Sequence, residues 1–209
     1  MAEYLVPQGL GESEVVEKRS RFLGALRPVS SEAEARAYIE SIKKRHYDAR
    51  HNCWCYRIHG GAERYSDDGE PQGTAGVPML SLLQKAGVEN VVCVVTRYFG
   101  GVLLGAGGLV RAYTQAAQGA LEKAGVGVVC LWNLVSLSCP YPLLEQIKLL
   151  AAQRRGVVED IAYGQDVTLR LSFPQEETEG FGRAVTELSA GSLVLQPLGT
   201  VCRAAPLER

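Results

Sequence analysis

The residues best suited to chemistry lie in a glycine-rich block that runs from Thr96 to Tyr113. The block reads TRYFGGVLLGAGGLVRAY and holds five glycines between two arginines, Arg97 and Arg111. Glycine lets the backbone approach a ligand closely, and the first turn of a helix presents unpaired N–H groups that favour anions. The block therefore predicts an anion or ligand site whose candidate residues are Arg97, Tyr98, Gly100, Gly101, Gly105, Gly107, Gly108 and Arg111.

The spacing of these glycines matches neither of the two common nucleotide motifs. Gly105-x-Gly-Gly differs from the dinucleotide pattern G-x-G-x-x-G, and the Gly-Lys-Ser/Thr of a P-loop is missing. Two interpretations stay open: the block holds a phosphate with its arginines, or the glycines only permit a sharp connection and tight helix packing. In the first case we expect Gly107 to need a left-handed φ angle or a close backbone approach.

An acidic block, SDDGEPQGTAG from Ser66 to Gly76, places three carboxylates within four residues. Asp67, Asp68 and Glu70 could bind a hard cation or act as acid and base, and Thr74 is suited to cap the helix that follows. The spacing lacks the longer ladder of oxygen ligands of a calcium loop. We therefore favour a solvated Asp-Gly turn, and we expect neither a metal nor a cofactor.

A basic segment from Lys43 to Arg64 contains six Lys or Arg residues and all three histidines. Asp48, Arg50 and His51 are the candidates for an additional site in this segment. His51 is the one candidate titrating group, although a lone histidine is more often structural or solvated. We predict that residues 48–51, the acidic block and the glycine-rich block converge on one face of one domain.

The cysteines fit hydrophobic positions rather than metal ligands. Cys53 and Cys55 are separated by one residue, so on a strand both sulfurs face the same side, and no second ligand pair with zinc spacing follows. The other cysteines, most of them in apolar strand-like segments, are Cys93, Cys130, Cys139 and Cys202. We predict that all six thiols are reduced and that none binds zinc.

The composition indicates a globular protein of the cytoplasm. Hydrophobic residues make up 46% and charged residues 22% of the chain. No apolar run approaches the ~20 residues that cross a bilayer, and the first residues lack a secretory signal pattern, so we expect no membrane partner. The formal net charge is −1. Because the chain has no global positive field, any anion recognition must be local.

Hydrophobic periodicity places the blocks at the ends of strands and helices. The first half predicts the order β-β-α-β-β-α-β-α, in which the glycine-rich block joins a buried strand at 91–98 to a helix at 108–124. The second half predicts βαββαβ, the split pattern of ferredoxin-like folds. With 209 residues, the chain suits two domains at 1–126 and 127–209, joined near residues 125–127.

Three segments resemble the hallmark blocks of the YigZ/IMPACT family. They are DARHNC at 48–53, the acidic block and the glycine-rich block, and KRSRF at 18–22 extends the likeness over most of residues 15–125. The chain is similar to the bacterial two-domain members. The resemblance implies an α+β protein with an N-terminal ribosomal-protein-S5 domain-2-like domain. A ferredoxin-like domain that resembles the last domain of elongation factor G is implied to follow.

The resemblance also implies a role in translation. Eukaryotic relatives are implied to engage the activator of a stress-responsive initiation-factor kinase and to restrain that kinase, a pathway not expected in bacteria. We therefore expect a non-catalytic regulatory or binding protein that contacts RNA, the ribosome or translation factors through the arginine-flanked glycine turn. The alternative is an enzyme that acts on a phosphorylated small molecule or nucleotide, with Asp67, Asp68 or Glu70 near the same turn.

Overall fold

The computed structural model describes residues 4–206, which form two compact units. The first unit consists of Tyr4–Val129 with residues 204–206, and the second unit of Cys130–Arg203. The units divide after Val129, within a strand, whereas the domain boundary after residue 126 stays a prediction. Among the described residues, no helix is long and apolar enough to cross a membrane.

Among the described residues, six strands and three helices lie wholly within the first unit. They are β1 (Tyr4–Pro7), β2 (Gly11–Glu17), β3 (Ser20–Pro28), α1 (Glu32–Arg45), β4 (His51–Arg57), β5 (Glu63–Ser66), α2 (Gly76–Lys85), β6 (Val91–Tyr98) and α3 (Ala106–Ala124). The predicted order is confirmed except for β1, which the sequence pattern missed. Four residues are too few to show a period, and β1 forms by pairing with residues 126–129.

Five of these strands form an antiparallel sheet in the order β2-β3-β6-β4-β5. Helices α2 and α3 pack on one face, where they cover Cys93 and Val95, and α1 packs on the other face over Val92 and Val94. Because both faces are covered, β6 is a continuous apolar run rather than an alternating one.

Helix α3 lies against β2 and β3 through an alanine-rich face. A Cβ atom at Gly24 would stand 2.4 Å from the carbonyl oxygen of Ala116, so glycine is what allows this approach. The hydroxyl of Ser13 donates to the same carbonyl oxygen at 2.6 Å. The close contact orients the whole of α3, including its first turn in the glycine-rich block.

The second unit follows the predicted βαββαβ order, which is confirmed. After a strand β7 (Val126–Cys139) that begins in the first unit come a 3-10 turn (Tyr141–Leu143), α4 (Leu144–Gln153), β8 (Val157–Tyr163), β9 (Val167–Pro174), α5 (Gln175–Leu188) and β10 (Gln196–Pro206). The strands lie in the order β10-β7-β9-β8, and Phe173 stacks on Phe181 in the core with ring centroids 4.4 Å apart. The fold class is therefore α+β, with a ferredoxin-like second domain.

The connection between α3 and β7 differs from the prediction. Helix α3 ends at Ala124, Gly125 turns the chain with a φ of 69°, and β7 begins at Val126. The connection is therefore shorter than the predicted linker at residues 125–127, because Gly125 alone makes the turn and the next two residues already belong to β7.

Candidate functional site

Residues from all three predicted segments line one pocket of about 310 Å³ in the first unit. The polar part of its lining consists of Arg50, His51, Glu70 and Arg97. The segments meet because β4 and β6 are antiparallel neighbours, with His51 directly opposite Arg97 in the register. The three segments therefore share one face, as predicted, and their role in binding a ligand stays a prediction.

A buried ion pair joins the acidic block to the glycine-rich block at this pocket. Nη1 of Arg97 donates to Oε1 of Glu70 at 2.6 Å, and the hydroxyl of Tyr113 donates to the same oxygen at 2.9 Å. The side chains of Arg97 and Glu70 are only 6% and 3% exposed. Burial raises the pKa of Tyr113 far above its ordinary value, so this phenol stays protonated and donates.

The pairing changes what Arg97 can do. We expected both arginines to be free for bidentate phosphate contacts, but Nη1 of Arg97 is already bound to Glu70. The guanidinium lies over two aromatic rings, 5.4 Å from the centroid of Phe22 and 5.5 Å from that of Phe99. Its buried Nε has no hydrogen-bond partner among residues 4–206. A buried donor without an acceptor is rare and requires an explanation.

His51 is oriented by the acidic block. Its Nδ1 lies 2.7 Å from the carbonyl oxygen of Asp68, and a carbonyl only accepts, so Nδ1 carries the hydrogen. Nε2 is then an acceptor in the neutral ring and lies 4.0 Å from Oε1 of Glu70. The side chain is 13% exposed, so His51 is held in place rather than solvated.

Asp67 caps α2, a role that the sequence pattern assigned to Thr74. Its carboxylate accepts hydrogen bonds from the backbone N–H groups of Gly73, Ala75 and Gly76 at 2.8, 3.0 and 2.8 Å. Thr74 instead donates its hydroxyl to a backbone carbonyl at 2.7 Å. The predicted Thr74 cap is wrong because the loop folds back and brings a stronger, charged acceptor to the same N–H groups.

The remaining acids also have protein partners. Asp68 accepts from the backbone N–H of Asn52 at 2.7 Å, and Asp48 accepts from the hydroxyl of Tyr98 at 3.1 Å. Tyr98 in turn contacts Nδ1 of His46 at 2.9 Å and does not line the pocket. Within residues 4–206, no group of three His, Cys, Asp or Glu side chains is arranged to hold a metal ion.

Helix α3 begins two residues earlier than predicted, at Ala106 instead of Gly108. Its N-cap is Gly105, with a φ of 71°, and no side chain caps it. The first helical hydrogen bond runs from the N–H of Leu109 to the carbonyl of Gly105, so the N–H groups of residues 106–108 lie ahead of it. These groups are part of a helix start that borders the pocket at Gly105 and Ala106.

The glycines of the block have different roles. A Cβ atom at Gly100 would stand 2.0 Å from the backbone of Arg19, so Gly100 is required for packing. Gly101 has a φ of 83° and faces open space. Gly107 is helical without a positive φ, and a Cβ there would lie 3.7 Å from Nη1 of Arg111, in ordinary contact. The expected left-handed φ at Gly107 is therefore wrong, whereas a close approach of its backbone to a ligand stays a prediction.

One exposed cation, Arg50, and an apolar rim complete the site, and a second exposed cation, Arg111, lies outside the pocket. Arg50 lies 5.5 Å from the ring centroid of Phe99, and neither it nor Arg111 forms a salt bridge within the described part of the chain. Arg111 lies on the first turns of α3 but does not line the pocket. Phe99 is 39% exposed and Leu103 82% exposed on the turn before α3.

Sequence reasoning missed three of these features. Tyr113 ends the glycine-rich block but was not among the candidate site residues, although a buried tyrosine hydroxyl needs a partner, which was the available signal. Phe99 and Leu103 were not singled out, because their exposure depends on how the turn is placed. The geometry suits anion binding better than acid-base catalysis. The carboxylates of residues 48–51 and of the acidic block all accept hydrogen bonds from protein donors; they are Asp48, Asp67, Asp68 and Glu70.

Comparison with known proteins supports the two-domain description. The family model for the Impact N-terminal domain matches residues 18–121, which include every pocket residue, and a domain of unknown function (DUF1949) matches residues 137–192. A solved structure described as "Crystal structure of an hypothetical protein" is 35% identical with a TM-score of 0.60, and the match covers 93% of this chain and 97% of that chain.

Relatives from several organisms match most or part of the chain. The IMPACT family member YvyE of Bacillus subtilis is 40% identical over 190 residues, which cover 90% of this chain and 88% of that protein. The IMPACT family member of Haemophilus influenzae is 38% identical over 202 residues, 95% and 98% of the two chains. The Protein IMPACT homolog of Dictyostelium discoideum is 40% identical over 97 residues, 44% of this chain and 28% of that protein. The chain described here therefore belongs to the IMPACT family.

Proposed function

We propose that this protein is a non-catalytic binding protein of translation that contacts RNA, the ribosome or a translation factor through the pocket of its first unit. The observation that carries the proposal is which charged and polar groups already have partners within the protein. The carboxylates are engaged with protein donors, whereas Arg50 and the N–H groups at the start of α3 are left for a partner.

The alternative of an enzyme loses its main support for the same reason. Asp67 holds the start of α2, Asp68 holds the backbone of β4, and Glu70 neutralises Arg97. A general base must reach a substrate proton, but neither Asp67 nor Asp68 lines the pocket, and Glu70 is buried against two donors. His51 keeps a free Nε2, but no Ser, Thr or Cys nucleophile lines the pocket beside it.

The link to translation rests on the family. A role in translation is implied by the blocks that resemble the family's hallmarks. Residues of these same blocks line the pocket. They also lie within residues 18–121, the match to the Impact N-terminal domain. A partner that recognises this domain is therefore expected to contact the pocket. The cytoplasmic location of the protein stays a prediction.

The test is co-sedimentation of the full chain with purified ribosomes and ribosomal subunits at about 50 mM and about 200 mM salt. We expect binding that weakens at the higher concentration, since the contact is local and cationic. A thermal-shift screen with phosphorylated metabolites runs beside it, and each metabolite that stabilises the chain is then assayed for turnover. Turnover of a metabolite, with no binding to ribosomes, RNA or translation factors, would overturn the proposal in favour of the enzyme.

A further inference from the structure

We propose that the pocket binds one phosphodiester group of a single-stranded RNA and that a neighbouring base covers its apolar rim. This inference rests on the proposed function and narrows the partner to RNA. It depends on three features of the first unit: the donors that surround the pocket, the charge of its lining, and the exposed apolar side chains beside it.

Two independent sets of donors point to an anion. The N–H groups of residues 106–108 lie ahead of the first helical hydrogen bond, at the positive end of the dipole of α3. Nε of Arg97 is buried without a partner in the described chain, and Arg97 lines the same pocket. A phosphate oxygen would satisfy donors that the protein leaves unpaired.

The charge of the lining indicates the class of phosphate. Its charged residues are Arg50, Arg97 and Glu70, which leave one net positive charge while His51 is neutral. An internal phosphodiester carries a single negative charge, whereas a terminal phosphate carries nearly two at neutral pH. The buried carboxylate of Glu70 would repel the additional charge, so the pocket fits a phosphate within a strand better than one at its end.

The apolar rim suits an unpaired base. Phe99 and Leu103 are exposed beside the pocket, and Leu104 and Leu109 continue the apolar lining. Bases of a single strand stack on apolar and aromatic side chains independently of sequence. A volume of about 310 Å³ lies at the small end of ligand pockets and accommodates one nucleotide unit, not a duplex.

A matched pair of substitutions at Gly107 tests the donor end of the site. Gly107→Glu places a carboxylate in the first turn of α3. Negative charge at this position interacts favourably with the helix dipole, and the carboxylate can also pair with Arg111 four residues on. Gly107→Ala adds only a methyl group, for which there is room. Both variants should therefore fold. Only Gly107→Glu should repel a phosphate.

The measurement is fluorescence anisotropy of a labelled uridylate oligomer of about 12 nucleotides without terminal phosphates, titrated with the full chain. We expect Gly107→Glu to raise the Kd about tenfold or more relative to Gly107→Ala. Arg50→Ala should weaken binding and reduce the slope of log K against log salt by about 0.7, the value for one phosphate of a single strand. Arg36→Ala, on α1 across the sheet, is the matched control and should change neither.

Competitors distinguish the sources of phosphate. Duplex RNA of the same length, adenosine monophosphate and inorganic phosphate should each displace the oligomer less effectively than unlabelled single strand. Equal Kd values for the two Gly107 variants would overturn the inference, as would equal affinity for duplex or stronger competition by the mononucleotide. If the chain still co-sediments with ribosomes in that case, the proposed function stands and only the inference of single-stranded RNA as the ligand of the pocket is wrong.

Discussion

At the residue scale, the pocket depends on the buried pair of Glu70 and Arg97. Both side chains are almost fully buried, although each contributes to the lining of the pocket. Tyr113 supplies a second donor to the carboxylate, and the rings of Phe22 and Phe99 lie beside the guanidinium. The pair therefore organises the site and restricts Arg97 to a single, oriented position.

Removal of one partner should expose the importance of this pair. Glu70→Ala leaves the charge of Arg97 buried and uncompensated, so we expect a loss of about 3 to 5 kcal/mol in the free energy of unfolding. Tyr113→Phe removes one hydrogen bond and should cost about 1 kcal/mol. Guanidinium denaturation followed by circular dichroism measures both. A Glu70→Ala variant as stable as the parent would contradict this account.

The thiols give a second prediction at this scale. Burial raises the pKa of Cys93 to about 12 and the pKa values of Cys53 and Cys55 well above the ordinary thiol value. A raised pKa leaves less thiolate at any given pH, and the thiolate is the reactive form. Cys202 is exposed.

We therefore expect iodoacetamide at about pH 8 to modify Cys202 first in the native protein. Cys53, Cys55 and Cys93 should react only after unfolding. Mass spectrometry of peptides after timed alkylation identifies the modified residues. Early modification of any of these three buried thiols would count against the described core. The same experiment on denatured protein tests whether all six thiols are reduced, which stays a prediction.

At the element scale, the position of α3 decides where its first turn points. The helix can approach β3 only because Gly24 has no side chain to meet the carbonyl of Ala116. Its buried face is rich in alanine, which keeps the separation small along the whole contact. The start of α3 is thereby directed to the pocket that β4 and the acidic block complete.

Gly24→Ala should displace α3 or strain the sheet. The added Cβ would stand 2.4 Å from the Ala116 oxygen, so we expect the free energy of unfolding to fall by about 1 to 3 kcal/mol. Gly9→Ala is the matched control, since no atom lies within 4 Å of its Cβ position. The control should stay within about 0.5 kcal/mol of the parent. Equal stability of the two variants by urea denaturation would contradict the close contact.

At the scale of the whole molecule, each unit has its own hydrophobic core. The core around Phe22 and Tyr113 belongs to the first unit, and the core around Phe173 and Phe181 to the second. A domain with its own core is expected to respond to damage within that core. Function in the first unit should therefore tolerate a lesion in the second.

Phe181→Ala tests this independence. Phe181 is fully buried and stacked on Phe173, so its removal should destabilise the second unit by about 3 to 5 kcal/mol. Hydrogen exchange should quicken in β9 and α5, while the amides of β3 and β6 keep their protection. Equal loss of protection in both units would show a single cooperative unit instead.

The secondary structure was largely predictable from the sequence because local burial determines hydrophobic periodicity. Strand β6 was predicted at its observed residues, 91–98, and the helix after the glycine-rich block was predicted to end at residue 124, where α3 ends. The βαββαβ order of the second half followed from the same signal. The acidic block and the glycine-rich block were recognised by composition alone, since carboxylates and glycines between apolar segments mark the ends of helices and strands.

The partners of the polar side chains could be known only from the tertiary structure. Arg97 finds Glu70 at a separation of 27 residues, and Asp67 replaces Thr74 as the cap of α2. Strand β1 forms a ladder with residues 126–129, which are more than 100 positions away in sequence. Each of these outcomes is a competition among donors and acceptors that are distant in sequence. The sequence specified which groups compete, and the fold decided which of them meet, because a hydrogen bond or ion pair depends on distances that only chain packing sets.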